Sequence, residues 1–191
     1  MADENGKQEV ESRVWQPKSK MVAQLLVSLR LAALVGTATA AGVMSLNKET
    51  KTVTVAVVGT TPILQTFTAK FQHTPAFVYF VIANATASLY NLLVMLLRPH
   101  LKTKAHDTLV YLLDTVMFAL VATGAAAAAA MAELGKNGNE HARWNAICDK
   151  FGSFCLRGGL ALTASFVGAL VLMIMNAISV ITLNKNACGK P

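Results

Sequence analysis

Hydrophobic positions along this chain gather into four long blocks, residues 24–46, 75–97, 108–132 and 158–183, parted by short polar stretches. A helix needs about 20 apolar residues to cross the hydrocarbon core of a bilayer, and each block is long enough. Arg30 is the one charge of the first block and Asp114 of the third, while the second and fourth carry none. The second block opens on Pro75, a residue tolerated in the first turn of a helix, and stops at Arg98-Pro99. The pattern predicts an all-α membrane protein, a bundle of four transmembrane helices. Between the first two blocks the period changes: Lys51 to Val58 alternates polar and β-branched residues, which predicts a short strand or hairpin arm turned by Gly59, Thr60, Thr61 and Pro62. An exposed edge there is a pairing site for a neighbour; an edge covered by the second outer loop is the other reading.

These blocks divide the chain into a tail (residues 1–23), a membrane domain (24–183) and a short C-terminal tail (184–191). The first tail is polar, of mixed charge and without the apolar core of a signal peptide, so it is expected to be solvated, disordered and cytosolic. Four spans put both termini on one side. Lys and Arg concentrate in the N-terminal tail (Lys7, Arg13, Lys18, Lys20) and in the short loop holding Arg98, Lys102 and Lys104, with Lys185 and Lys190 behind the last span. The positive-inside rule therefore places both termini in the cytosol and the β element in the first extracellular loop.

Composition narrows the function. The chain is 54% hydrophobic and 14% charged, far from the roughly 25% charged residues of soluble domains. No segment outside the spans is long enough for a catalytic domain, so the chain is read as non-enzymatic. His73, His100, His106 and His141 are scattered without metal-ligand spacing. No phosphate loop or hydrolase signature is present, and no cofactor is expected. The net charge of +7 is spread over both faces of the membrane and carries no base-stacking pattern, which argues against nucleic acid.

An ionisable group inside a span is costly and calls for a partner or a wet cavity. Arg30 and Asp114 lie equally far into two spans that run the same way, each about 9 Å inside the boundary at 1.5 Å per residue. They are expected to form a structural intramembrane ion pair; the alternative reading is a proton or ion path in a small channel, transporter or auxiliary subunit. Asn84, Ser88 and Asn91 make one polar face of the second helix, suited to interhelical hydrogen bonds. Small residues recur at four-residue spacing: Gly36 and Ala40, then Gly124 and Ala128, then Ala161, Ser165 and Ala169. Such stripes permit close packing of helices in lipid, within the bundle or against another subunit.

Cys148 and Cys155 both fall in the second outer loop, where disulfides persist, and Cys188 in the cytosolic tail. A Cys148–Cys155 bridge is the natural hypothesis, two free buried thiols the alternative. On a continuous helix residues seven apart are about 10 Å apart, too far to bridge. A bridge therefore requires the helix to break, and Gly152 is the expected place.

Taken in order, Arg30, the stretch Thr74 to Asn84 (Thr-Pro-Ala-Phe-Val-Tyr-Phe-Val-Ile-Ala-Asn), Asp114, and Trp144, Cys148, Phe151, Phe154 and Cys155 of the second outer loop form a pattern. It resembles the CASP-like family of plants, relatives of the Casparian strip membrane domain proteins and of the MARVEL four-helix membrane proteins. The resemblance implies a multi-pass plasma-membrane protein that associates with itself and its homologues into membrane platforms. In Casparian strip proteins proper those platforms organise enzymes that modify the adjacent wall. The stretch Gln65 to Phe71 departs from the first-loop signature of that subgroup, which points to the CASP-like branch.

Overall fold

A computed structural model describes residues 2–97 and 104–188. Arg98, Lys102 and Lys190, used above to orient the chain, lie outside the described residues. The elements are α1 (Ala2–Ser45), β1 (Lys48–Val58), β2 (Thr61–Lys70), a short 3-10 turn (Phe71–His73), α2 (Pro75–Leu97), α3 (Lys104–Asn137) and α4 (Gly152–Cys188). Within them, Met21–Ser45, Pro75–Leu97, Thr108–Asn137 and Gly152–Thr182 are long and apolar enough to cross a membrane.

Boundaries shift where charge and helix part company. α1 begins at Ala2, so its backbone is helical through the tail expected to be disordered; Ala2, Glu4, Lys7, Gln8, Glu9 and Glu11 are all good helix formers. α4 starts at Gly152 rather than 158, because Arg157 marks where lipid should end and not where the helix must. α3 runs on to Asn137 and is stopped by Gly138, whose φ of 70° is the left-handed conformation that glycine adopts without penalty. The Gly138 N–H bonds back to Leu134 O at 2.8 Å, closing the helix end. A Cβ on Gly138 would stand 2.5 Å from Trp144 O, so the site admits glycine alone.

Each helix packs mainly on two neighbours, in the cyclic order α1, α2, α3, α4 and back to α1. Helices α1 and α3 thus face each other across one diagonal of the bundle, and α2 and α4 across the other. Two apolar clusters fill the interior. One, toward the hairpin, holds Met44, Phe77, Phe80, Phe154 and Leu162; the other holds Val121, Leu172 and Met175. Phe77 meets Phe154 edge-on, ring centres 6.2 Å apart.

β1 and β2 form a two-stranded antiparallel hairpin. Its loop is Gly59-Thr60, with Gly59 at φ 65°, the positive φ that a two-residue hairpin loop needs at its first position. Pro62 therefore lies within β2, opposite Val57, and not in the turn. A register shift between Thr54 and Ala56 makes a bulge that exchanges the faces of β1. Before the bulge one face is a threonine ladder, with Thr50–Thr68 and Thr52–Thr66 hydroxyls 3.0 Å apart.

Candidate functional site

Two sets of polar groups sit where an apolar bundle would hold none. The first is an intramembrane network. Arg30 Nη1 donates to Asp114 Oδ1 at 3.0 Å and Nη2 to Asp114 Oδ2 at 2.7 Å, a two-pronged pairing across the α1–α3 diagonal. Arg30 Nη1 also reaches Asn91 Oδ1 at 3.3 Å. Tyr90 donates its hydroxyl to Asp114 Oδ1 at 2.7 Å, and the Arg30 guanidinium lies 5.9 Å from its ring centre, within cation–π range. Both charges are buried, so Coulomb attraction acts in a medium of low dielectric and each carboxylate oxygen has charge-assisted donors. α2 contributes because Asn91 stands on its inward face while Tyr90 reaches round toward α3.

One helical turn or two nearer the hairpin, Ser165 Oγ on α4 donates to Asn84 Oδ1 on α2 at 2.9 Å, joining the second diagonal. The Asn84 amide nitrogen is served locally, Nδ2 donating to Phe80 O at 2.9 Å. Of the polar face proposed for α2, Asn84 and Asn91 turn inward, whereas Ser88 is half-buried at its side; Ala87 occupies the inward position between them.

The small-residue stripes fall at contacts. Gly36 on α1 stands against α4, where an added Cβ would lie 3.3 Å from both Ala164 O and Gly168 Cα. Gly124 on α3 stands against Ala83 of α2, 3.1 Å from the position of an added Cβ. Ala40, Ala128, Ala161, Ser165 and Ala169 are all buried. Gly168 of α4, outside the small-residue stripes, stands against Thr37 of α1, where an added Cβ would lie 3.1 Å from Thr37 Cγ2.

The second polar set lies at the hairpin end. Cys148 and Cys155 are joined by a disulfide, Cα atoms 5.7 Å apart, and the helix containing Cys155 begins at Gly152, leaving Cys148 in the loop. Phe154, in the first turn of α4, is held from both sides by the start of the hairpin. Its N–H donates to Glu49 Oε2 at 2.7 Å, and its carbonyl accepts from Asn47 Nδ2 at 2.9 Å. A carboxylate at a helix N-terminus is favoured by the unpaired N–H groups and the helix dipole. That backbone bond holds the Glu49 carboxyl below its ordinary value, with lesser help from Lys51, 3.3 Å away. Asn47 is 1% exposed, and its Oδ1 has no donor among the described residues. Trp144 pairs with Asn139 through a backbone bridge and leaves its side chain exposed, while Phe151 is half-buried against the cluster around Phe154. Tyr90, Asn47 and Glu49 carry no sequence signal of these roles; their partners are far away in the chain.

No group of three or more potential metal ligands occurs among the described residues. Four apolar helices with polar pins on their diagonals and a capped hairpin at one end define a multi-pass membrane protein. More narrowly, the chain belongs to the family of the Casparian strip membrane protein domain, whose model matches residues 19–171. It is 57% identical over 165 residues to CASP-like protein 1B1 of Sorghum bicolor, covering 86% of this chain and 78% of the relative. It is 51% identical to CASP-like protein 1B1 of Glycine max over 191 residues, covering 97% of this chain and 98% of the relative. CASP-like protein 1B2 of Oryza sativa subsp. indica is 54% identical, with 87% and 85% covered. No solved structure matches.

Proposed function

We propose that this protein is a non-enzymatic scaffold of the plasma membrane, associating laterally with copies of itself and with its relatives into stable platforms. Both termini then lie in the cytosol, and the hairpin end faces outward, where the platform organises secreted wall-modifying partners. The observation that carries this reading is the hairpin. An isolated two-stranded sheet is marginal in water, and this one packs on the bundle near its base, where β1 meets α4 and Ala69 of β2 lies against the apolar cluster around Phe154. Beyond the base, Ile63, Leu64 and Phe67 remain exposed on β2. An open edge with apolar side chains is a template for pairing with another chain. Asp114 gives further support, since its carboxylate is engaged by both Arg30 and Tyr90 in the manner of a pin.

Subunit counting on the full chain in native-membrane particles, with photobleaching recovery in cells, tests the proposal. Stable multimers with slow recovery are expected, and Leu64→Lys with Phe67→Lys should return the protein toward monomers. A freely diffusing monomer would refute it.

A further inference from the structure

At the hairpin end a groove of about 940 Å³ opens between the hairpin base, the end of α3, the second loop and the start of α4. Its volume is at the upper end of small-molecule sites. Met44, Phe77, Phe154 and Leu162 line its buried floor, and the exposed side chains of Trp144 and Ile147 line its walls. Gly159 also lines it, with open space where a Cβ would stand.

Charge distinguishes this groove from the other apolar surfaces of the bundle. Lys70 and Lys136 both border it, and neither has an ion pair among the described residues. Lys70 is also the direct cross-strand partner of Lys48, and like charges placed opposite each other destabilise a hairpin. The neighbouring carboxylates do not relieve them. Glu49 is engaged by Lys51 and the Phe154 N–H, and Glu133, which also borders the groove, accepts from Asn137 Nδ2 and makes no ion pair with either lysine among the described residues. An anion at the groove mouth would relieve the Lys48–Lys70 repulsion and complement Lys136, while an apolar chain would cover Ile147 and Trp144.

We propose that this groove binds an amphiphile with a carboxylate or phosphate head, its apolar chain along Phe77, Ile147 and Leu162 and its head between Lys70 and Lys136. Such a ligand comes either from the bilayer, as an acidic phospholipid, or from outside it, as a free fatty acid.

Trp144 reports occupancy directly. The full chain carrying Trp15→Phe is placed in phosphatidylcholine nanodiscs, and quenching of Trp144 is followed with three brominated probes: a fatty acid, phosphatidylglycerol and phosphatidylcholine. Saturable quenching by one of the two acidic probes, well beyond that by brominated phosphatidylcholine, is expected and identifies the source. Lys70→Gln with Lys136→Gln should weaken it by about twenty-five-fold, since each lysine near an anionic head contributes roughly fivefold. Gly159→Leu, whose Cβ would meet nothing within 4 Å, places a branched side chain at the groove and should abolish saturation while leaving the lysines intact. Equal, unsaturated quenching by all three probes, insensitive to both variants, would mean ordinary contact with bilayer lipid and overturn the proposal; absence of quenching by the acidic probes would do the same.

Discussion

Ser165 and Asn84 meet at 2.9 Å across the α2–α4 diagonal, while Arg30 and Asp114 meet at 2.7 Å across the α1–α3 diagonal. In a ring of four helices the neighbour contacts alone leave the ring free to shear into a rhombus. A polar tie on each diagonal resists that shear, and because the ties lie at different depths they also fix the register of each helix pair. The small residues at the neighbour contacts then bring the backbones close, so the two kinds of interaction act on different degrees of freedom.

The two ties should differ in strength. Removing one partner of a buried ion pair leaves an uncompensated charge and costs about 3–5 kcal/mol, whereas an interhelical hydrogen bond in a membrane is worth about 0.6 kcal/mol on average. Asp114→Leu is therefore expected to lower stability severalfold more than Asn84→Leu in an unfolding titration. Arg30→Met combined with Asp114→Leu should recover most of the loss, because neither charge then remains buried alone. A double variant no more stable than Asp114→Leu would show that the pair is not energetically coupled.

How much of this could be read from the chain depended on whether the signal was local. Arg30 and Asp114 stand out because each interrupts an apolar run, and equal depth follows because α1 and α3 run in the same direction. The hairpin is announced by the alternation from Lys51 to Val58, although β1 starts earlier, at Lys48, because Lys48 and Glu49 continue the pairing. Tyr90 was illegible: an aromatic in an apolar helix looks like any other lipid-facing or core side chain, and its hydroxyl partner lies on another helix. Ser88 departs from the expected polar face for a different reason. At 3.6 residues per turn Ser88 and Ala87 flank the Asn84–Asn91 line by equal angles on opposite sides, so spacing alone does not tell which is buried; packing against the neighbouring helices buries Ala87 and leaves Ser88 half-buried. The hold of Asn47 and Glu49 on Phe154 joins positions more than a hundred residues apart, and no local pattern encodes it.

Gly36 and Gly168 make a second test, in which the usual sign of a glycine substitution reverses. An alanine in a helix interior ordinarily gains about 0.5–1 kcal/mol over glycine. At Gly168 the new methyl would stand 3.1 Å from Thr37 Cγ2 and 3.4 Å from Thr37 N, and at Gly36 it would meet the backbone of α4 at 3.3 Å. The Gly36→Ala/Gly168→Ala pair should therefore lose about 1–3 kcal/mol, the cost of overpacking a close contact. Gly42→Ala, where nothing lies within 4 Å, should gain stability. A gain at all three positions would show that α1 and α4 are not held in close contact.

The disulfide between Cys148 and Cys155 closes a loop with a sequence separation of 7. Loop-closure entropy for so short a ring is worth about 2.5 kcal/mol. Cys148→Ser is expected to cost roughly that much and to leave a thiol at Cys155 that maleimide labels, whereas the unmodified chain should label there only after reduction. Because the bridge ties the loop to the first turn of α4, its loss should also raise amide exchange at Phe151 and Phe154. Labelling of Cys155 in the unreduced chain would mean that the bridge does not form.

Glu49 gives the junction between hairpin and α4 a defined dependence on pH. Its carboxyl lies below the ordinary value of 4.5 because the Phe154 N–H bonds to the charged form. A folded-state value lower than the unfolded one means that the ionised group stabilises the fold. That contribution is fully present above 4.5 and is lost as pH falls through the depressed value, when the carboxylate takes up a proton and becomes a poorer acceptor. Protection of the Phe154 amide against hydrogen exchange, corrected for intrinsic exchange rates, should therefore hold at neutral pH and drop only on the acid side of 4.5. In Glu49→Gln protection should be weaker at neutral pH and lack that acid transition. The same transition persisting in Glu49→Gln would assign it to another group and remove Glu49 as the acidic cap of α4.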